Sequence, residues 1–267
     1  MNPPGYFTDE SMLRKVQRER VIALAGPRSL LLMAAHPVAF EGFFAQTGAL
    51  QDPYARLRRT AEVLETITYG QKERAAVMTR RVRAVHRQVR GQLPESAGRF
   101  PAGTPYAADD PELLLWILAS LVDSNLLVHD RYVRVLTPAE RNHYWRDFKV
   151  LGRLFGLRAR DMPKDIDAFD SYMHEMIQGP DLFVTDRARD LARQIVLRPP
   201  VPVPARPLLE LANFITVGLL PARLRRGYQL SWDPARQLVL SGGAQYTRRV
   251  LLPLLPQRVR FLDRLAA

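Results

Sequence analysis

Two groups of residues between positions 54 and 91 have the types and spacing to do chemistry. Arg56, Arg59 and Thr60 recur at i, i+3 and i+4, so one helix face would carry two guanidinium groups and a hydroxyl. Set over a bound oxidant, that face would stabilise a developing oxygen-centred anion, and the hydroxyl would pass a proton. Turned to solvent, the same face would be an ordinary charged surface paired with Glu62 or Glu65. Further on, Met78, Val82, Val85, His86 and Val89 fall at helical spacing, an apolar stripe with one imidazole in it. An imidazole on an oily face is a candidate ligand for a metal or a haem iron; a hydrogen-bonded core histidine has the same pattern.

These groups need two helices to position them. Asp52-Pro53 opens the first, with proline where a missing N–H costs little, and Tyr69-Gly70 closes it. The second runs from Lys72 to Val89 and stops at Gly91. Upstream, Met12 to Leu24 reads as an amphipathic helix capped by Thr8 or Ser11, and Ser29 is expected to cap an apolar helix ending at His36-Pro37. Downstream, residues 92–108 read as a Pro/Gly/Ser-rich loop, and Asp109 or Asp110 starts the apolar helix ELLLWILASLVDSNLLV. Thr137-Pro138-Ala139-Glu140 is a capping-box pattern for the next helix. A proline-rich stretch, RPPVPVPARP, separates residues 1–198 from 199–267, and a last helix is expected over Gln245 to Leu255. The chain reads as all-α: a helical core over 1–198 and a proline-strapped helical segment, 199–267, packed on the same domain.

Three further polar residues stand out. His36 ends an apolar helix, where it would bond a carbonyl or line a pocket. Asp123 interrupts LLLWILASLVDSNLLV, and a carboxylate there needs a partner: an arginine from a neighbouring helix, or His86 through its second ring nitrogen. Arg28 is a candidate anchor for an anionic cofactor group.

Composition narrows the classes. The chain has no cysteine, which excludes disulfides, thiolate nucleophiles and cysteine-held zinc, iron–sulfur or haem. None of its five histidines forms a close ligand pair such as HExxH, and P-loop, GxSxG and EF-hand patterns are missing. The balance of 39 Lys+Arg to 27 Asp+Glu gives a net charge of +12, nearly all from arginine. Arginines occur in every helical segment, so no nucleic-acid partner is expected. The apolar run Leu113 to Val128 is short for a span and holds Asp123, Ser124 and Asn125, so it reads as core and no transmembrane segment is expected. The first residues carry no apolar leader, and a cytoplasmic location is the expectation.

Six pieces in order carry a family resemblance: GPRSLLLMAAHPVAF, DPYARLRRTAEVLETITYG, VRAVHRQVRG, YAADDPELLLWILASLVDS, ERNHYWRDFKVLGRLFGL and NFITVGLLPARLRRGYQLSWD. The chain resembles the MpaB-type oxygenase family, which includes rubber oxygenase. The resemblance implies a globin-reminiscent helical fold with a non-covalent haem b pocket. It places the proximal iron ligand on His86 and the distal residues on Arg56, Arg59 and Thr60. Arg59 replaces a lysine of the rubber oxygenase, Leu118 replaces a histidine of many bacterial relatives, and Glu41 is the candidate for an active-site glutamate. The expected activity is haem-dependent oxygenation of a small apolar substrate, unsaturated or aromatic. A haem-binding sensor or carrier, and a basic helical module for nucleic acid or an anionic surface, are the alternatives.

Overall fold

The computed structural model describes residues 5–45 and 53–262. It is an all-α, multi-helix fold with one small β-ribbon. In chain order the first helices are α1 (Met12–Gln17), α2 (Ala25–Ala34), α3 (Pro37–Phe40), α4 (Pro53–Tyr69) and α5 (Lys72–Gln88). The ribbon, β1 (Arg90–Gln92) and β2 (Pro105–Ala107), pairs antiparallel with Gly91 opposite Tyr106. Then follow α6 (Pro111–Tyr132), α7 (Pro138–Phe155), α8 (Ile166–Gln178) and α9 (Asp186–Leu191). The C-terminal part holds α10 (Arg206–Leu219), α11 (Ala222–Gly227), α12 (Pro234–Tyr246), α13 (Leu252–Leu254) and α14 (Gln257–Arg260).

The starts of these helices follow local chemistry. Thr137 Oγ1 accepts from the Glu140 N–H (3.2 Å) while the Glu140 carboxylate accepts from the Thr137 N–H (2.9 Å), a complete capping box. Asp110, Asp165, Thr185 and Asp233 cap α6, α8, α9 and α12. Gly156, at φ +113°, ends α7 in the left-handed conformation.

Four expected boundaries are corrected. The first helix breaks after Gln17 into a 3₁₀ turn, Arg20–Leu24, because Glu19 is drawn into the core to meet Arg260. Ser29 does not cap α2: the helix begins at Ala25, tolerates Pro27 in its first turn, and Ser29 Oγ donates to the Gly26 carbonyl (2.8 Å). The stretch expected as plain loop contains the ribbon. The last long helix begins at Pro234, eleven residues before the expected Gln245.

The core centres on α6, which lies along α2 and against α7. Trp116, Tyr144 and Trp145 are fully buried there, and Trp145 Nε1 donates to the Pro163 carbonyl (2.9 Å). α6 is long and apolar enough to cross a membrane, with a mean hydropathy of 1.5, yet more than half of it is buried inside the protein. It is a core helix by its contacts. α10 packs on α2 and on α12, and α12 on α6. Tyr228, after α11, donates from its hydroxyl to the Leu31 carbonyl of α2 (2.7 Å).

Candidate active site

α4 and α5 are joined by the turn Gly70-Gln71 and pack on each other, a helical hairpin. Its turn end is well fixed. Thr66, Ile67 and Thr68 of α4 and Ala75 and Thr79 of α5 are buried. Arg14 of α1 reaches the frayed end of α4: its Nε donates to the Thr68 carbonyl (2.8 Å), and its guanidinium lies over the Tyr69 ring. α5 also leans on α7.

The open end of the hairpin is different. Arg59 and Thr60 are exposed, as is Arg58. Arg56 lies on α4, but its side chain falls outside the described residues. His86 is half-buried, with Nδ1 shielded from solvent, while its stripe neighbour Val85 is 52% exposed. The expected face and the expected imidazole therefore lie on two consecutive helices joined by a two-residue turn.

A small apolar cluster backs this end. Val38 of α3, Leu93 and Tyr106 are its buried members, with Val89, Phe100 and Leu113 packed around them. Val89 is one turn beyond His86. A Cβ on Gly91 would collide with the Tyr106 ring, so only glycine lets the ring cross β1. Tyr106 also touches Gly42, which ties the ribbon to the turn Glu41–Ala45.

His36 borders the same cluster. Its Nδ1 accepts from the Ala39 N–H (3.3 Å), capping α3, and its ring packs on Phe100 at 5.3 Å. Burial pushes its pKa down to about 4, against the opposing pull of Asp181. A neutral ring with Nδ1 occupied is a helix cap first; its remaining nitrogen is free to carry the proton.

Glu41 is buried and paired with Arg187 of α9 at 2.5 Å, and that guanidinium also lies over the Phe40 ring. No local pattern announces this pair, since its members are 146 positions apart.

Arg28 and Asp123 belong elsewhere. Arg28 is buried between α2, α6 and α10: Nε donates to the Leu219 carbonyl (2.8 Å), and Nη1 reaches Ser124 Oγ (2.7 Å) and Asp123 Oδ2 (2.7 Å). Arg28, the expected anchor of an anionic cofactor group, spends Nε and Nη1 on these core partners, and Asp123 has this neighbouring-helix arginine as its ion-pair partner.

Among the described residues no three His, Asp or Glu groups converge as a metal site. A cavity of about 270 Å³ lies between Leu182, Arg189, Arg223 and Gly227, away from the hairpin. Its size is just under the roughly 300 Å³ at which ligand pockets begin. Two of its arginines are committed to backbone carbonyls, Arg189 to Val184 and Arg223 to Ile177 and Leu182, and the third, Arg226, is turned to solvent.

By donor chemistry the two helices suit a haem: α5 offers a half-buried imidazole with an exposed valine beside it, α4 carries exposed cationic and hydroxyl groups, and among the described residues no cluster of His, Asp or Glu competes for the iron.

A sequence model of the family "ER-bound oxygenase mpaB/B'/Rubber oxygenase, catalytic domain" matches residues 13–250. The uncharacterised proteins Mb2261 of Mycobacterium bovis and Rv2237 of Mycobacterium tuberculosis are each 30% identical over 186 residues, 69% of this chain and 69% of theirs. No solved structure matches.

Proposed function

From a chain that belongs to the mpaB/rubber oxygenase catalytic-domain family, and is therefore an oxygenase, we propose a haem b-dependent enzyme acting on a small apolar substrate. The observation that carries this is α5, where a half-buried His86 lies next to an exposed Val85, one short turn away in the chain from the helix that carries Arg59 and Thr60. Haem, when bound, supplies the iron at which dioxygen or peroxide is activated.

The protein's own residues do the rest. His86 would hold the iron through one ring nitrogen. Val82, Val85 and Val89 would lie against the apolar face of the group and keep water from it. Arg59, with Arg56 of the same helix by its sequence spacing, would supply positive charge where negative charge develops on oxygen, and Thr60 Oγ1 would relay a proton. Glu41, held at its carboxylate by Arg187, fixes the turn from which the chain runs toward α4. The substrate is unsaturated or aromatic and small, and the cytoplasm is the place we assign to the reaction.

Oxygen uptake by haem-loaded protein, with and without candidate alkenes and arenes, tests this reading. Uptake that needs substrate and falls by about 10²-fold in Arg59→Ala or Thr60→Val is expected. Full haem loading with no substrate-dependent uptake would leave a haem carrier or sensor instead.

A further inference from the structure

The charge of this chain is unevenly placed. Residues 199–267 hold ten arginines and three carboxylates, a net +7 of the total +12. Arg206, Arg226, Arg249 and Arg258 in this part are exposed and make no ion pair among the described residues.

The longest helix of that part is turned inside out. α12, the π turn Thr247–Leu251 and α13 run on with helical dihedrals at both junctions. Leu240, Ala244 and Leu252 form the inner face. The outer face, where a soluble helix would carry polar residues, presents Leu238 (75% exposed), Val239, Tyr246 and Leu254 (77% exposed). A Cβ on Gly242 or Gly243 would meet nothing within 4 Å, so no part of the described chain covers this stripe. α10, seated on α12 where Gly218 faces Leu240, exposes Leu208 and Leu211 as well.

We propose that this C-terminal face docks on an anionic lipid surface, with the α12 stripe entering the headgroup boundary and the free arginines meeting acidic headgroups. A second copy of the chain would bring like charge against like charge. A nucleic acid would use the arginines but leave the leucines in water. A bilayer carrying acidic lipid takes both at once. The inference is independent of what happens at His86.

Vesicle co-sedimentation of the full chain tests it, with phosphatidylcholine alone and with added phosphatidylglycerol. Binding to the acidic vesicles is expected to be at least ~10-fold stronger than to neutral ones and to weaken with salt. It should fall about 10-fold in Leu238→Glu/Leu254→Glu and, separately, in Arg249→Glu/Arg258→Glu. All four positions are exposed, so circular dichroism should report an unchanged fold. A tryptophan at Leu238→Trp should blue-shift on acidic vesicles. No vesicle binding, binding indifferent to both variants, a solution dimer dissolved by Leu238→Glu, or tighter binding to duplex DNA that ignores the leucine variant would each overturn the proposal.

Discussion

The α2–α6–α7 layer and the α4–α5 hairpin use similar residues to opposite ends. In the layer, every apolar residue of the facing surfaces is covered, and the polar residues placed among them, Arg28, Asp123 and Ser124, answer one another. In the hairpin, the turn end is closed by Arg14. The far ends of the two helices leave a valine and a half-buried imidazole on α5 and a guanidinium and a hydroxyl on α4 uncovered. The contrast separates residues that make the fold from residues the fold does not need. Substitutions in the layer should register as stability, and substitutions at the rim as binding and turnover.

The largest expected effect is in the layer. Trp116→Ala should cost about 3–5 kcal/mol in urea denaturation, by loss of burial and by the cavity it leaves. Next comes Arg28→Ala, at about 2–4 kcal/mol, since Asp123 and Ser124 would keep no cationic partner; Arg28→Met with Asp123→Leu should recover much of it.

The third concerns pH. His36 is neutral in the folded chain down to about pH 4, whereas the unfolded chain takes up the proton near 6.5. The folded pKa of this base is depressed, so the unfolded state binds more protons between those values. Stability is full above the unfolded pKa and is lost as pH falls toward 4. Between pH 7 and pH 5 the loss should be about 2 kcal/mol, and His36→Asn, which keeps a capping side chain, should flatten that part of the profile. Buried His129 is shifted downward by the same cause, so the flattening is read as the difference between variant and wild type.

Smaller still, Thr137→Ala should cost about 1 kcal/mol by opening the capping box. His86→Ala should change stability least, by under about 1 kcal/mol, because half-buried surface residues away from a core seldom matter more. An equal cost at Trp116 and His86 would break the comparison.

Much of this division was legible in the sequence. The capping box at Thr137, the stop at Tyr69-Gly70 and the apolar run of α6 are local signals, and the structure keeps all three. The Asp123 anomaly was legible as a demand for a partner, but not the partner's name. Arg28 is 95 positions away, and so many arginines are available that pattern alone cannot choose. Glu41–Arg187 and Glu19–Arg260 were invisible for the same reason. The start of α12 was missed because its outer face is apolar, which hid the helical period that an inner-face stripe would have shown. Ser29 misled because a cap residue can equally sit in a first turn and bond back to a carbonyl. The hairpin's chemistry rested on spacing within single helices and on family resemblance.

The most direct test of the central claim is a titration of the purified chain with haemin, followed in the visible spectrum, for wild type, His86→Ala and His36→Asn. The account predicts a saturable Soret band in wild type and in His36→Asn, and one weakened or displaced in His86→Ala. An identical band in His86→Ala, or no band in any of the three, would contradict it.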